Sequence, residues 1–162
     1  RIVMNNLRKP TMTNPIHFFA FCGGIGLVGV APGTAGSLFG VLIFWLTINT
    51  GLMVQTAMAI IFLALGIWIC GKSASDLGTH DHPGIIWDEM AAMFTILLFQ
   101  PLNALEWLLA FILFRIFDIF KPWPINYIDE KISGGLGIML DDILAGLATI
   151  FCMLLLRLTI LV

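Results

Sequence analysis

The sequence predicts an all-α integral membrane protein: a polytopic helical bundle of about five spanning helices, preceded by an N-terminal interfacial or re-entrant segment. Three observations lead there. Of 162 residues, 59% are hydrophobic and 11% charged, against roughly 45–50% and about 25% in a soluble globular domain. The mean hydropathy is +1.00. The apolar residues gather in long runs, and most charges fall between alternate runs. A length of 162 residues suits one domain, residues 1–162. The formal net charge of −2 and the lack of a basic cluster give no footing to a nucleic-acid partner.

Taken in order, the polar stretch 1–14 shows no signal-peptide pattern. "PIHFFAFCGGIGLVGV", residues 15–30, is glycine-rich and too short to span. It is expected to lie at the interface or to re-enter, because irregular backbone survives at membrane depth only inside protein or beside water. Five apolar runs follow, at about 35–49, 53–74, 84–99, 102–120 and 140–161. A helix needs roughly 20 residues to cross ~30 Å of hydrocarbon. The second, fourth and fifth runs suffice, while the first and third need flanking turns, partial burial or local thinning. Cys22, Cys70 and Cys152 are too scattered for a zinc site or a disulfide framework and read as small buried hydrophobes.

The connections set the topology. "TINTG" (47–51) and "QPLN" (100–103) are short and uncharged, whereas the other connections carry Lys72, Asp76, His80, Asp81 and His82, then Lys121, Asp129, Glu130 and Lys131. With Arg1, Arg8 and Lys9 in the cytoplasm, five spans bring all these charges to the cytoplasmic face and satisfy the positive-inside rule. Arg157 is then the exception near the outer end, with Glu106 as its matching acid. Four polar constellations distant in sequence thus share one membrane face. An acid at the centre of a spanning helix is unfavourable by about 2.5–3.5 kcal/mol, so a water-accessible interfacial site is expected.

Two of these constellations are acidic doublets, Asp88–Glu89 in "WDE" and Asp141–Asp142 in "LDD". Adjacent helical residues point about 100° apart, so one acid of each pair is expected to turn inward and the other aside. With Asp118, inward acids from separate helices repel unless a cation neutralises them, and a cluster of oxygen ligands suits Mg²⁺. The plainer reading is that such acids only sit at positive helix N-termini. "FRIFDIFKPWPI" (114–125) sets Arg115 and Asp118 on one helical face and Lys121 just before Pro122, where the helix should stop. Arg115 offers a fork and Lys121 a point charge for a phosphorylated ligand; an ion pair with a snorkelling lysine is the alternative. In "APGTAGSLFG" (31–40), the backbone N–H groups of Gly33 to Ser37, Gly36 among them, and the hydroxyls of Thr34 and Ser37 are placed to cradle phosphate. It is not a Walker loop. A capping role for Thr34 or Ser37 is the plainer reading. In "GTHDHPGIIWDE" (78–89), Asp81 is expected to cap a helix whose first turn holds Pro83, with His80 or His82 near phosphate or moving a proton. Gly134, Gly135 and Gly137 read as loop slack over a headgroup.

"NPIHFFA", "APGTAGSL", "HDHPGIIWDE", "FRIFDIFKPWPI" and "GGLGIMLDDILAG", in this order and spacing, resemble the bacterial phosphatidylglycerophosphatase A family. The match covers about residues 14–146. The resemblance implies a small, Mg²⁺-dependent, multi-pass enzyme of the bacterial inner membrane, its active site facing the cytoplasm. Its substrate would be the membrane lipid phosphatidylglycerophosphate, cleaved to phosphatidylglycerol and phosphate. One departure is Ala92, where the family usually has glycine.

The combined expectation is a lipid phosphatase in which Asp88, Glu89, Asp118, Asp141 and Asp142 bind Mg²⁺ and orient water. Gly33, Thr34, Gly36, Ser37, His80, His82, Arg115 and Lys121 would hold phosphate. The rival class is a small ion-coupled transporter using intramembrane carboxylates. It predicts acids near the midplane and internal repeats, neither of which the sequence displays. A third reading, a non-catalytic membrane partner, leaves such crowded acids unexplained.

Overall fold

A computed structural model describes residues 9–101 and 103–160; Arg1 and Arg8 lie outside the described residues. Among the described residues the chain forms seven α-helices and two short 3-10 turns, with no strand. The helices are α1 (Pro15–Ala20), α2 (Pro32–Leu46), α3 (Leu52–Leu77), α4 (Trp87–Leu97), α5 (Ala104–Phe120), α6 (Ile125–Lys131) and α7 (Gly135–Ile160).

Among the described residues, α3 and α7 alone combine the length and the apolarity to cross a membrane. Of the about five spans expected, these two are long enough by length and composition alone. The run at 84–99 yields in α4 a helix of 11 residues, about 16 Å long at 1.5 Å per residue. Helices α2, with 15 residues, and α5, with 17, are also short of the roughly 20 that a crossing needs. The apolarity of α4 is used for burial in protein: Met90, Ala91, Met93, Phe94, Ile96 and Leu97 are all 0–1% exposed. Helix α4 packs against α2, α3 and α7. By contrast Met53 and Trp68 on α3 and Phe151 and Leu158 on α7 are 61–85% exposed, so the outer surface of the bundle is itself apolar.

Small residues bring α2 and α4 together. A Cβ at Gly36 would lie 2.9 Å from the Ile86 carbonyl, and one at Gly40 would lie 2.5 Å from that of Met90; the spacing is the small-residue pattern that lets helix backbones approach. At the start of α7, a Cβ on Gly135 would run into the Ile67 carbonyl of α3. Gly135 and Gly137 therefore belong to the helix and to its close packing, not to a slack loop; only Gly134, with φ +78°, precedes it.

Helix ends are set by backbone as much as by side chains. Asn14 and Asn103 cap α1 and α5, accepting from the N–H groups of Ile16 at 2.9 Å and Leu105 at 3.0 Å. Lys121 ends α5 in the left-handed conformation, just before Pro122. Helix α2 starts at Pro32 behind a left-handed Ala31, with no side-chain cap, so Gly33 to Ser37 are helical and neither Thr34 nor Ser37 is the cap. Helix α4 begins at Trp87 with Ile86 preceding it, so Asp81, six residues earlier, does not cap it and Pro83 lies in a turn before it. Lys72 and Asp76 lie on the last turns of α3, not in a connection.

The N-terminal segment braces the entry to α4. The Ile86 N–H donates to the Ala20 carbonyl at 2.9 Å, and a Cβ at Gly84 would strike the Phe21 ring and the Gly26 carbonyl. His17 ties α1 to α3: its Nδ1 accepts from the Thr11 N–H at 3.1 Å, and its Nε2 lies 4.0 Å from Asp76 Oδ2.

Candidate active site and metal centre

The starts of α2, α4 and α7 and the end of α5 meet at one end of the bundle. Glu106, Gln100 and Arg157 meet at the other, where Arg157 lies 2.6 Å from Glu106 and donates to the Phe99 carbonyl at 3.2 Å. Asp88 and Glu89 occupy the first turn of α4, where unpaired N–H groups favour anions. Asp142 arrives from α7, almost two turns in, too deep for the helix N-terminus to be its reason. One carboxylate oxygen from each of Asp88, Glu89 and Asp142 lies within 4.8 Å of the other two.

Both acids of the α4 doublet therefore reach one point, contrary to the expectation that one would turn away. The α7 doublet does divide. Asp142, 2% exposed, faces the cluster, and Asp141 accepts from Lys121 Nζ at 2.6 Å. Lys121 also lies 3.0 Å from Asp129 on α6. Burial works against the charge of Lys121, but the hydrogen bond to Asp141 and the neighbouring Asp129 outweigh it and push its pKa above the ordinary lysine range.

Arg115 forms the third side. Its Nη1 is 2.6 Å from Asp118 Oδ2 and donates to Ser37 Oγ at 3.4 Å. Ser37 is fully buried and donates to the Gly33 carbonyl at 2.9 Å. Gly33 is the floor: a Cβ there would collide with Glu89 Oε1 and lie 3.0 Å from Arg115 Nη2. Asp118 also approaches Asp142.

Buried oxygens of this group lack partners: Asp88 Oδ1, Glu89 Oε2, Asp141 Oδ1 and both oxygens of Asp142. Buried carboxylate oxygens without donors are strongly unfavourable, and a hard divalent cation is the partner their chemistry fits. The Arg115 Nε, also buried, is likewise unpartnered and is free to meet an anion.

The predicted residues are thus sorted. Asp88, Glu89, Asp118, Asp142, Arg115, Ser37 and Gly33 converge, with Asp141 and Lys121 as an adjoining pair. Of the amides from Gly33 to Ser37, that of Ala35 already bonds to the Ala31 carbonyl at 3.2 Å. Gly36 and Ser37 lie further inside the helix, so only the Gly33 and Thr34 amides remain as phosphate donors. Gly36 serves helix packing. His80 is exposed, and His82 accepts from the Gly84 N–H at 3.0 Å while its ring packs, tilted by 49°, at 5.4 Å from that of Phe21. Among the described residues, no contact joins either histidine to the carboxylates. Burial holds the His82 pKa below the usual histidine range, with Asp81 acting the other way. Asp129 was not singled out from the sequence as a site residue, since one acid in a short charged helix carries no signal of its Lys121 contact.

A sequence model described as "PgpA: Phosphatidylglycerophosphatase A" matches residues 18–157. The chain belongs to the phosphatidylglycerophosphatase A family. It is 43% identical over 145 residues to phosphatidylglycerophosphatase A of Haemophilus influenzae, covering 88% of this chain and 89% of that one. It is 40% identical over 136 residues to the Escherichia coli protein of the same name, with 83% and 79% covered. A Bacteroides thetaiotaomicron relative, provisionally named phosphatidylinositol-3-phosphatase, is 39% identical over 132 residues, with 76% and 81% covered. No solved structure matches.

Proposed function

We propose that this chain is a Mg²⁺-dependent phosphatase of the bacterial inner membrane that cleaves the terminal phosphomonoester of phosphatidylglycerophosphate. The observation that carries the reading is the convergence of the buried Asp88 and Asp142 with the half-buried Glu89, all with unpartnered oxygens, beside Arg115. The family membership and the names of the relatives support it. They lend nothing to the alternative of an ion-coupled transporter.

In this reading the whole chain is one membrane-embedded phosphatase domain. Its five longer helices sit in the bilayer with α2, α4 and α5 shielded or thinned around, and the α1 segment lies at the interface. The site end faces the cytoplasm, where Lys72, Lys121 and Lys131 also lie.

Asp88, Glu89 and Asp142 would hold the cation. When bound, Mg²⁺ neutralises phosphate oxygens and acidifies water. Arg115, steadied by Asp118 and Ser37, presents its guanidinium to the phosphoryl group, and the Gly33 and Thr34 amides at the start of α2 add donors. Lys121 is shared between Asp141 and Asp129. From there it supplies a proton-bearing charge at the edge where the glycerol oxygen leaves. Asp141, with one oxygen on Lys121 and the other unpartnered, is the acid positioned to take a proton from attacking water. As water bonds to phosphorus its proton passes to Asp141, the P–O bond to glycerol breaks, and the glycerol oxygen takes a proton from Lys121 Nζ, which regains one from Asp141 through their hydrogen bond.

Phosphate release from phosphatidylglycerophosphate in detergent micelles tests the reading. The purified protein should turn over with Mg²⁺, stop in EDTA and recover when Mg²⁺ is restored. Turnover unaffected by EDTA, or none with any divalent ion, overturns it.

A further inference from the structure

The faces of α4 and α7 that carry the carboxylates continue as the two walls of an apolar groove. On α4, Asp88 is followed along one helical stripe by Ala92 and Thr95, at i+4 and i+7, with Phe99 in the turn just beyond the helix. On α7, Asp142 is followed by Gly146 and Ile150, at i+4 and i+8. Leu63 of α3 completes a groove of about 230 Å³ that contains residues of both long apolar helices.

The groove is closed to polar ligands. The only hydroxyl among these walls, Thr95 Oγ1, is already donated to the Ala91 carbonyl at 2.8 Å, so nothing in it rewards a polar group for leaving water. Its rim is open, with Phe99 and Leu147 55–57% exposed. From Asp88 to Leu97, the end of α4, the wall descends about 14 Å at 1.5 Å per residue. The groove begins at Ala92 and Ile143, next along the helices from Asp88 and Asp142, and runs away from the carboxylates along the helix axes toward the end where Arg157 sits.

We propose that this groove receives a fatty acyl chain of the lipid whose phosphate lies at the carboxylates. It fixes the headgroup by holding the tail. The inference rests on the lipid-phosphatase reading and adds where the tail is bound. Continuity is what selects the occupant: a ligand with a phosphorylated head at Asp142 and an apolar tail has one stripe of small and apolar side chains leading from that head. Gly146 sets the width, since an ideal Cβ there meets only Ile96 side-chain atoms at 3.4 and 3.6 Å. The larger side chain of Leu would occupy the groove without striking backbone.

The test compares Gly146→Leu with wild type on two substrates, dioleoyl phosphatidylglycerophosphate in micelles and its water-soluble dibutyryl analogue. The variant should lose about tenfold or more in kcat/KM on the dioleoyl lipid, the factor expected when roughly two methylenes lose their burial. It should stay within about twofold on the short-chain one. Equal losses on both, or no loss on either, overturn the proposal. A second readout is independent of turnover: phosphatidylglycerol carrying a diazirine at the acyl terminus should label wild type between Ala92 and Phe99 and between Ile143 and Ile150. Labelling spread evenly over the exposed faces of α3, α5 and α7 overturns it. Wild type that hydrolyses only the dibutyryl substrate is a phosphatase without the tail site. Wild type that hydrolyses neither refutes the phosphatase reading, and the tail site with it.

Discussion

Lys121 at the end of α5 and Asp141 on α7 are joined at 2.6 Å, while the next residue, Asp142, turned about 100° around the helix, faces into the carboxylate cluster. The two aspartates therefore differ in kind. Asp142→Asn should reduce phosphate release to background at any Mg²⁺ concentration. Asp141→Asn should lower it by about 10²–10⁴-fold, the usual contribution of a general base, with the Mg²⁺ dependence kept. Phosphate release titrated with Mg²⁺ checks the difference, and equal defects would contradict it.

Arg115 holds Asp118 at 2.6 Å and Ser37 at 3.4 Å through one nitrogen, leaving the rest of the fork for phosphate. Arg115→Lys keeps the charge but loses the fork. With charged hydrogen bonds worth about 1.5–3 kcal/mol, kcat/KM should fall by about 10–100-fold. Steady-state kinetics on the micellar lipid measure it.

Gly33 leaves no room for a side chain between Glu89 and Arg115. Gly33→Ala should destabilise the protein by about 1–3 kcal/mol through overpacking and remove most activity at temperatures where the fold persists. Thermal unfolding in detergent, paired with phosphate release, reads both.

Arg157 and Glu106 are bonded at the far end of the bundle, their side chains 25% and 23% exposed. Such a half-screened pair lies between the small worth of surface pairs and the larger one of buried pairs. Arg157→Met should destabilise by about 1–2 kcal/mol and leave kcat/KM unchanged, as denaturant unfolding and turnover will tell.

His82 titrates below the usual histidine range because it is partly buried. Its folded pKa is depressed, so the unfolded chain binds the extra proton first. Stability therefore rises with pH across the window just below about 6.5, the unperturbed histidine value, and is complete above it. His82→Gln should flatten that slope in unfolding curves recorded between pH 5 and pH 7.

Much of this was legible in the residues. The Arg115–Asp118 spacing, the stop at Lys121 and the pairing of Glu106 with Arg157 follow from helix periodicity, proline and charge placement. The third apolar run was not legible as a short internal helix, because Phe94 and Ile96 have the same hydropathy whether protein or lipid covers them. The joint approach of Asp88 and Glu89 escaped a rule about neighbours 100° apart. Side chains about 100° apart can still converge when their carboxylates reach past the helix end. In the first turn of α4 Asp88 and Glu89 both approach Asp142 of α7, Glu89 lying also beside Gly33 of α2 and Arg115 of α5. The start of α2 was misread because a left-handed Ala31 and Pro32 define it, with no capping side chain to betray it.

Because α4 is about half a bilayer long and sheathed by its neighbours, hydrophobic mismatch has little hold on it. In the membrane reading, changes in bilayer thickness would bear on α3 and α7, whose exposed apolar faces would meet lipid and which could tilt. Asp88 and Glu89 ride on a strut decoupled from that tilt, referenced to Gly36 and Gly40 of α2 through backbone contact. The geometry at the phosphate is in this way set by protein against protein, and should hold across membranes of different thickness.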